Sequence, residues 1–185
     1  MPKILENPRE KILNEACLLL EEGYSNFSMR EIANRCEFAL GTVYNYFKNK
    51  SDLIIEVFNI KWNETLEEAK NISNIDTDFE NKIKLIYICL DKFLKYHKNI
   101  FFELSKEEMK LKEKREHSLN NYNVFDELYL LVDNIINLHK EKKEININIE
   151  TRKLSSFFIS NMLNLSMKKL DFSIDDLLYI ALNKK

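Results

Sequence analysis

Glycine and proline are scarce in this chain, with two of each among 185 residues. Tight turns and strand crossovers depend on such residues, so an all-β or α/β chain is disfavoured and long helices are expected. Cysteine is sparse as well. Cys17, Cys36 and Cys89 are odd in number, widely spaced and in no CxxC pair, a pattern that gives neither a disulfide framework nor a zinc site. Each reads as a small buried hydrophobe. No apolar run approaches the roughly eighteen residues of a membrane span. The start, MPKILENPREK, is charged almost at once and lacks an apolar signal region. A cytoplasmic protein without membrane contact is the expectation. There is no Gly-rich phosphate loop, no His stands near a cysteine in sequence, and His97, His117 and His139 show no i, i+4 pairing. No catalytic residue, metal site or cofactor is therefore assigned. Two rival readings stay open, a helical enzyme with a cavity and a helical protein–protein interaction bundle.

What is present is 45% apolar and 31% charged residues with a formal charge of −2, the balance of a soluble globular protein large enough for a sizeable core, and with so few turn residues the expected class is all-α. Both glycines, Gly23 and Gly41, fall in residues 23–53, GYSNFSMREIANRCEFALGTVYNYFKNKSDL. Ser28 followed three residues later by Glu31 is a capping box, so a helix starts at Met29 and buries Met29, Ile32, Ala33 and Cys36. A second begins near Leu40 and buries Val43 and Phe47, leaving Thr42, Asn45 and Tyr46 pointing elsewhere. Two short helices at this spacing make a helix-turn-helix, whose second helix lies in the major groove with its N-terminal residues at the base edges. Gly41, lacking a Cβ, lets backbone approach DNA closely. Ser51 is expected to cap the next helix, with Lys50 placed to attract a phosphate at its N-terminus. Within residues 28–50, Arg30, Arg35, Lys48 and Lys50 against Glu31 and Glu37 leave 4 − 2 = +2 facing DNA, a modest footprint that implies tight binding only as a dimer.

The run Ile32-Ala33, Gly41-Thr42-Val43-Tyr44, Tyr46-Phe47, Lys50 and Leu53 resembles, in order and spacing, the N-terminal signature of the TetR family of bacterial transcriptional regulators, over roughly residues 9 to 53. The resemblance implies phosphate contacts from Ser28, Thr42, Tyr44, Tyr46 and Lys50, and base-edge contacts from Leu40, Gly41, Tyr44 and Asn45. One departure stands out. The family usually places Gly in the turn where this chain has Glu37, and a Glu at positive φ is uncommon. Keeping the family's geometry would cost roughly 1 to 3 kcal/mol of strain.

Elsewhere, Asn7-Pro8-Arg9-Glu10 opens a first helix with the stripe Ile12, Leu13, Ala16, Cys17 and Leu20, ended by Gly23. The pattern Leu53, Ile54, Val57, Phe58, Trp62 and Leu66 gives a long helix over 51–72. Thr77-Asp78-Phe79-Glu80 opens another with Ile83, Ile86, Tyr87, Leu90, Phe93 and Leu94 on one face. A shorter helix is marked by Phe101, Phe102, Leu104 and Met109, before a polar stretch from Lys110 to Glu116. Residues 118–141 hold Val124, Phe125, Leu128, Leu131, Val132, Ile135, Ile136 and Leu138, too many for one stripe, so burial on several sides is expected. Ile145, Ile147 and Ile149 alternate like a strand, but with no partner strand 142–150 reads as a loop. Two helices follow, near 151–170 and 174–183, the second capped by Ser173 with Asp176.

The expected organisation is a three-helix helix-turn-helix domain at 1–50 and a larger helical effector-binding and dimerisation domain at 51–185. The resemblance implies that the last two helices pair with their copies in a homodimer through Leu154, Phe157, Phe158, Met162, Leu165, Leu177, Leu178, Ile180 and Ala181. The alternative is that these residues face the chain's own core. The resemblance also implies an apolar pocket for an unidentified small-molecule effector. Trp62, Leu66, Tyr87, Phe102, Met109, Tyr122, Phe125, Tyr129 and Asn161 are its candidate lining, since they combine apolar area with polar tips. The function implied is a ligand-responsive regulator, a repressor by the family's usual mode, on pseudo-palindromic double-stranded DNA.

Overall fold

Side-chain oxygens cap the start of five of the eight described helices. Asn7 accepts from the Glu10 N–H, Ser28 from Glu31 at 3.1 Å, Asn49 from Asp52 at 2.9 Å, Asp78 from Asn81 at 2.9 Å and Ser173 from Asp176 at 3.2 Å. Each satisfies a backbone donor that the first helical turn leaves unpaired. The computed structural model describes residues 7–23, 26–95, 125–168 and 171–182, and among these the regular structure is helical without a strand. The helices are α1 Pro8–Glu22, α2 Met29–Cys36, α3 Leu40–Tyr46, α4 Lys50–Asn74, α5 over residues 79–95, α6 Asp126–Glu141, α7 Thr151–Met167 and α8 Ile174–Ala181. The all-α class expected from the sequence is the class observed.

Two expected caps lie elsewhere. The α4 cap is Asn49, two residues before Ser51, which places Lys50 inside the first turn. The α5 cap is Asp78 in place of Thr77, because Asp78 also supplies the carbonyl for the Lys82 N–H at 3.1 Å. At Ser173 the capping box is complete, its N–H donating to the Asp176 carboxylate at 2.7 Å. At Ser28 only half of the box forms, since Glu31 accepts instead from Arg35 Nε one turn on, at 3.3 Å.

The chain divides into two compact units, one of described residues up to Lys61, the other of Trp62–Lys95 with the described residues from Phe125 onward. α4 contributes its first half to one and its second half to the other. In the first unit, Ile12, Ala16, Leu19, Ile32, Cys36, Val43, Phe47, Leu53 and Val57 are buried. The α1 stripe turns slightly from the expected one: Leu19 is buried and Cys17 is only half-buried, so the thiol is not a core group as read from sequence. Lys11 and Arg9 tie α1 to its neighbours, Lys11 through the Cys36 carbonyl and Arg9 through an ion pair with Glu56 and its position over the Phe47 ring.

In the second unit, Ile83, Ile86 and Leu90 of α5, Leu128, Val132 and Ile136 of α6, and Phe158, Ile159 and Met162 of α7 make the centre of the core. The α6 pattern resolves into one broad stripe, Leu128, Leu131, Val132, Ile135, Ile136 and His139, while Leu130 and Leu138 face solvent. The expectation of burial on several sides of α6 is therefore corrected, because period 3.6 leaves those two leucines on the outer face. α6 and α7 are stitched by Ser155 Oγ donating to Asp133 Oδ1 at 2.5 Å and by Arg152 pairing with Asp133 at 3.1 Å. Residues 142–150 are a loop, as expected, and Ile145 alone among its isoleucines is buried. The expected helix at Phe101 to Met109, the polar stretch from Lys110 to Glu116 and the part of the 118–141 helix before Phe125 lie outside the described residues.

Phe158 is fully buried against the Phe79 ring, centroids 5.7 Å apart. Phe158→Ala is expected to cost about 3 to 5 kcal/mol, read in urea through the fluorescence of Trp62, the sole tryptophan. Hydrogen bonds also hold two capping carboxyls below their ordinary range, Asp78 through the Asn81 N–H and Asp176 through the Ser173 hydroxyl. A carboxyl depressed on folding contributes stability above its unfolded value of about 4 and loses it as pH falls through the folded one. Thermal melts should therefore drop in temperature below about pH 4, and Asp176→Asn should flatten that drop.

Candidate nucleic-acid interface

The turn between α2 and α3 is closed by two backbone bonds, Phe38 N–H to the Ala33 carbonyl at 2.9 Å and Glu37 N–H to the Asn34 carbonyl at 3.0 Å. This is the Schellman arrangement, which requires a left-handed residue at its centre. Glu37 adopts it, at φ 57° and ψ 36°. The geometry that Gly would favour is thus kept by a residue with a Cβ, at a cost of roughly 1 to 2 kcal/mol.

That turn delivers α3 as a helix with one fully buried side chain, Val43, anchored just beyond its end by Phe47. Every other position is open to some degree. Tyr44 is 46% exposed and Tyr46 43%, Gly41 and Asn45 are exposed, and Leu40 and Thr42 are half-buried. Both tyrosines thus keep nearly half of their surface open to water on this short helix. Ser28 stands exposed at the start of α2 with its hydroxyl engaged as the cap. Lys50 is half-buried in the first turn of α4, its ammonium 5.3 Å from the centroid of the Phe27 ring. A Cβ built on Gly41 would meet no atom within 4 Å. Packing within the chain does not demand glycine there.

The positive charge assigned to this face is partly committed elsewhere. Arg35 forks onto Glu22 of α1, with Nη1 to Oε1 at 2.7 Å and Nη2 to Oε2 at 2.5 Å, and also pairs with Glu31. Its hydrogen bond to Glu22 raises the Arg35 pKa further and holds the Glu22 carboxyl below its ordinary range. Arg35 is a strut between α1 and α2, with its charge already balanced. Sequence spacing makes the Glu31 pair legible as an i, i+4 contact; the Glu22 pair, thirteen residues away, has no such signal.

In the second unit, Trp62 is buried and meets Phe93 and Phe125 edge to face, both at 5.1 Å between centroids. Leu66, one turn along α4, is buried too. Tyr87 is half-buried, and burial pushes its phenol up while Ser166 hydrogen-bonds it. Tyr129 is half-buried with the Arg152 guanidinium 5.3 Å from its ring centroid, and Asn161 donates to the Phe157 carbonyl of its own helix at 2.8 Å. Trp62 and Phe125 are thus brought together, whereas Tyr129 and Asn161 are engaged with α7. Phe102, Met109 and Tyr122 lie outside the described residues.

Of the residues assigned to a subunit interface, Leu154, Phe158, Met162, Leu177 and Leu178 are buried within this unit. Phe157 is 39% exposed and Ile180 69%, and Leu165 and Ala181 are half-buried. Tyr179, which the sequence pattern did not single out, is exposed beside Ile180. Among the described residues no helix is long and apolar enough to cross a membrane.

Replacing Glu37 by Gly should remove the left-handed penalty without loss of a packed contact. Glu37→Gly is expected to raise stability by about 1 kcal/mol, seen as a higher urea midpoint at unchanged slope.

Residues 12–57, which hold α2, α3, most of α1 and the first third of α4, match the family model of bacterial regulatory proteins of the tetR family. The chain is 24% identical over 142 residues to an uncharacterized HTH-type transcriptional regulator, YuxN, of Bacillus subtilis, covering 74% of this chain and 47% of that protein. It spans about half the length of the curated relatives it matches. Among solved structures, the fatty acid degradation regulator FadR of Bacillus halodurans has a similar fold, with TM-score 0.64 and 23% identity over 98% of this chain and 95% of that one. FadR of Bacillus subtilis, solved in complex with stearoyl-CoA, gives TM-score 0.64 and 17% identity over 94% of this chain and 97% of that one. The helix-turn-helix lies inside the matched residues 12–57, and this N-terminal segment is of the tetR type.

Proposed function

We propose that this protein is a ligand-responsive transcriptional regulator of the bacterial cytoplasm, a repressor that binds a pseudo-palindromic operator as a homodimer and is released by a small apolar or amphipathic effector. The observation that carries this reading is α3, which keeps Val43 for the core and leaves Tyr44, Asn45 and Tyr46 exposed and Thr42 half-buried. Leu40, Gly41, Tyr44 and Asn45 meet base edges. Ser28, Thr42, Tyr44, Tyr46 and Lys50 meet phosphates, where hydroxyls and an ammonium hold register without reading sequence.

Charge alone would bind weakly. With Arg35 committed to Glu22, the cations left on this face are few, so affinity depends on two heads engaging two half-sites about 34 Å or a multiple apart. The exposed Phe157, Tyr179 and Ile180 are the apolar area available for pairing two copies. α4 supplies the mechanical link. As a single helix of 25 residues, about 37 Å long, it carries residues of both units, and a tilt of α4 on effector binding would change the spacing of the heads. The coupling needed is on the order of 1 to 3 kcal/mol. An acyl chain entering the second unit would have to part packed side chains such as Trp62 and Phe125, and stearoyl-CoA, bound by the Bacillus subtilis regulator of similar fold, is the first effector to try.

Selection of bound duplexes from a random pool should return an inverted repeat, and its affinity should fall steeply with salt. A salt-independent association, or none with any duplex, overturns the reading. Gly41→Ala should leave thermal stability within about 1 kcal/mol of the starting protein, or higher, because nothing blocks the methyl. It should nonetheless weaken operator binding at least tenfold in a gel shift, since the DNA and not the protein requires the bare backbone. Tyr44→Ala and Lys50→Ala should each weaken it by about 1 kcal/mol or more, the second also reducing the salt slope by about one.

A further inference from the structure

Lys11 stands at the end of the first turn of α1, outside the helix-turn-helix, yet three contacts join it to the turn between α2 and α3. Its ammonium donates to the carbonyl of Cys36, the last residue of α2, at 2.9 Å. The same ammonium lies 5.3 Å from the centroid of the Phe38 ring. In return, the Cys36 thiol donates to the Lys11 carbonyl at 3.7 Å. These contacts bracket Glu37, which holds the left-handed conformation on which the turn depends.

The turn's own bonds satisfy the carbonyls of Ala33 and Asn34 and leave that of Cys36 to Lys11. A cation at the C-terminus of α2 also meets the negative end of its dipole. A glycine at position 37 would hold the left-handed conformation unaided; a glutamate needs the surrounding structure to fix it. We propose that Lys11 is a positioning residue for DNA reading, a clamp that holds Cys36, Glu37 and Phe38 so that α3 presents Tyr44 and Asn45 at a fixed angle. Lys11 touches no base in this assignment. It replaces from α1 what the turn lost by having no glycine. The inference rests on the reading of α3 as the DNA-contacting helix.

The experiment compares Lys11→Met, which keeps the aliphatic stem and removes the donors, with Lys11→Arg, which keeps a donor and the charge. All variants are assayed as full chains at a temperature where circular dichroism shows each fully folded. Lys11→Met is expected to weaken binding to the selected duplex roughly tenfold, in line with loss of a charge-assisted hydrogen bond, with the salt slope unchanged. Lys11→Arg should retain most of the affinity, and adding Glu37→Gly to Lys11→Met should recover it. In the protein without DNA, amide exchange at Phe38 should quicken roughly tenfold in Lys11→Met and return to the starting rate in the double variant. Unchanged affinity in Lys11→Met overturns the proposal. So does a loss accompanied by a salt slope lower by about one, which would make Lys11 a phosphate contact. If the unsubstituted protein binds no duplex, the regulator reading fails, and the clamp stands or falls on Phe38 exchange alone.

Discussion

One left-handed residue sets the geometry of the candidate interface. Glu37 at φ 57° reverses the chain from α2 into α3 within three residues and lets Val43 and Phe47 reach the same small core as Ile32 and Cys36. Once those two side chains are buried, the orientation of α3 is fixed, and the tyrosines between and beside them have nowhere to go but outward. Two turn hydrogen bonds, from Glu37 and Phe38, and the Lys11 ammonium on the Cys36 carbonyl hold the residues around the strained Glu37. The surface assigned to DNA is therefore a by-product of how the first unit packs.

Electrostatics in the first unit serve folding before they serve binding. Arg35 holds α1 to α2 through Glu22, Arg9 joins α1 to α4 through Glu56, and Lys61 pairs with Glu21. Exposed pairs of this kind are individually weak, but they absorb cations that a net-charge argument would assign to phosphate. What the face keeps is mostly hydroxyl, amide and backbone. Such groups fix register on a duplex while contributing less non-specific attraction, the balance that the proposed two-headed binding requires.

The second unit shows how far one apolar pattern can serve two purposes. Trp62, Phe93 and Phe125 are packed edge to face, and Leu154, Phe158, Met162, Leu177 and Leu178 close the core around α5 and α6. Residues that read equally well as pocket or interface are here occupied with one another. Phe157, Tyr179 and Ile180 lie on the outer side of the same helices, rotated away from the buried stripe.

Local physics made much of this chain legible beforehand. The scarcity of glycine and proline, the spacing of apolar residues and the Ser28 and Ser173 caps dictated helices at nearly the right bounds, because hydrogen bonds and side-chain stripes within one or two turns depend only on neighbouring residues. The helix-turn-helix was legible for the same reason. The tertiary structure decided what sequence separation hides. It chose Asn49 over Ser51 and Asp78 over Thr77 as caps, turned Cys17 and Leu138 outward, spent Arg35 on a glutamate thirteen residues away, and set Lys11 against a carbonyl twenty-five residues along. A competition between neighbouring acceptors for one backbone N–H, or between two faces of one helix, is not settled by apolar spacing, and the long-range pairs depend on which surfaces meet in space.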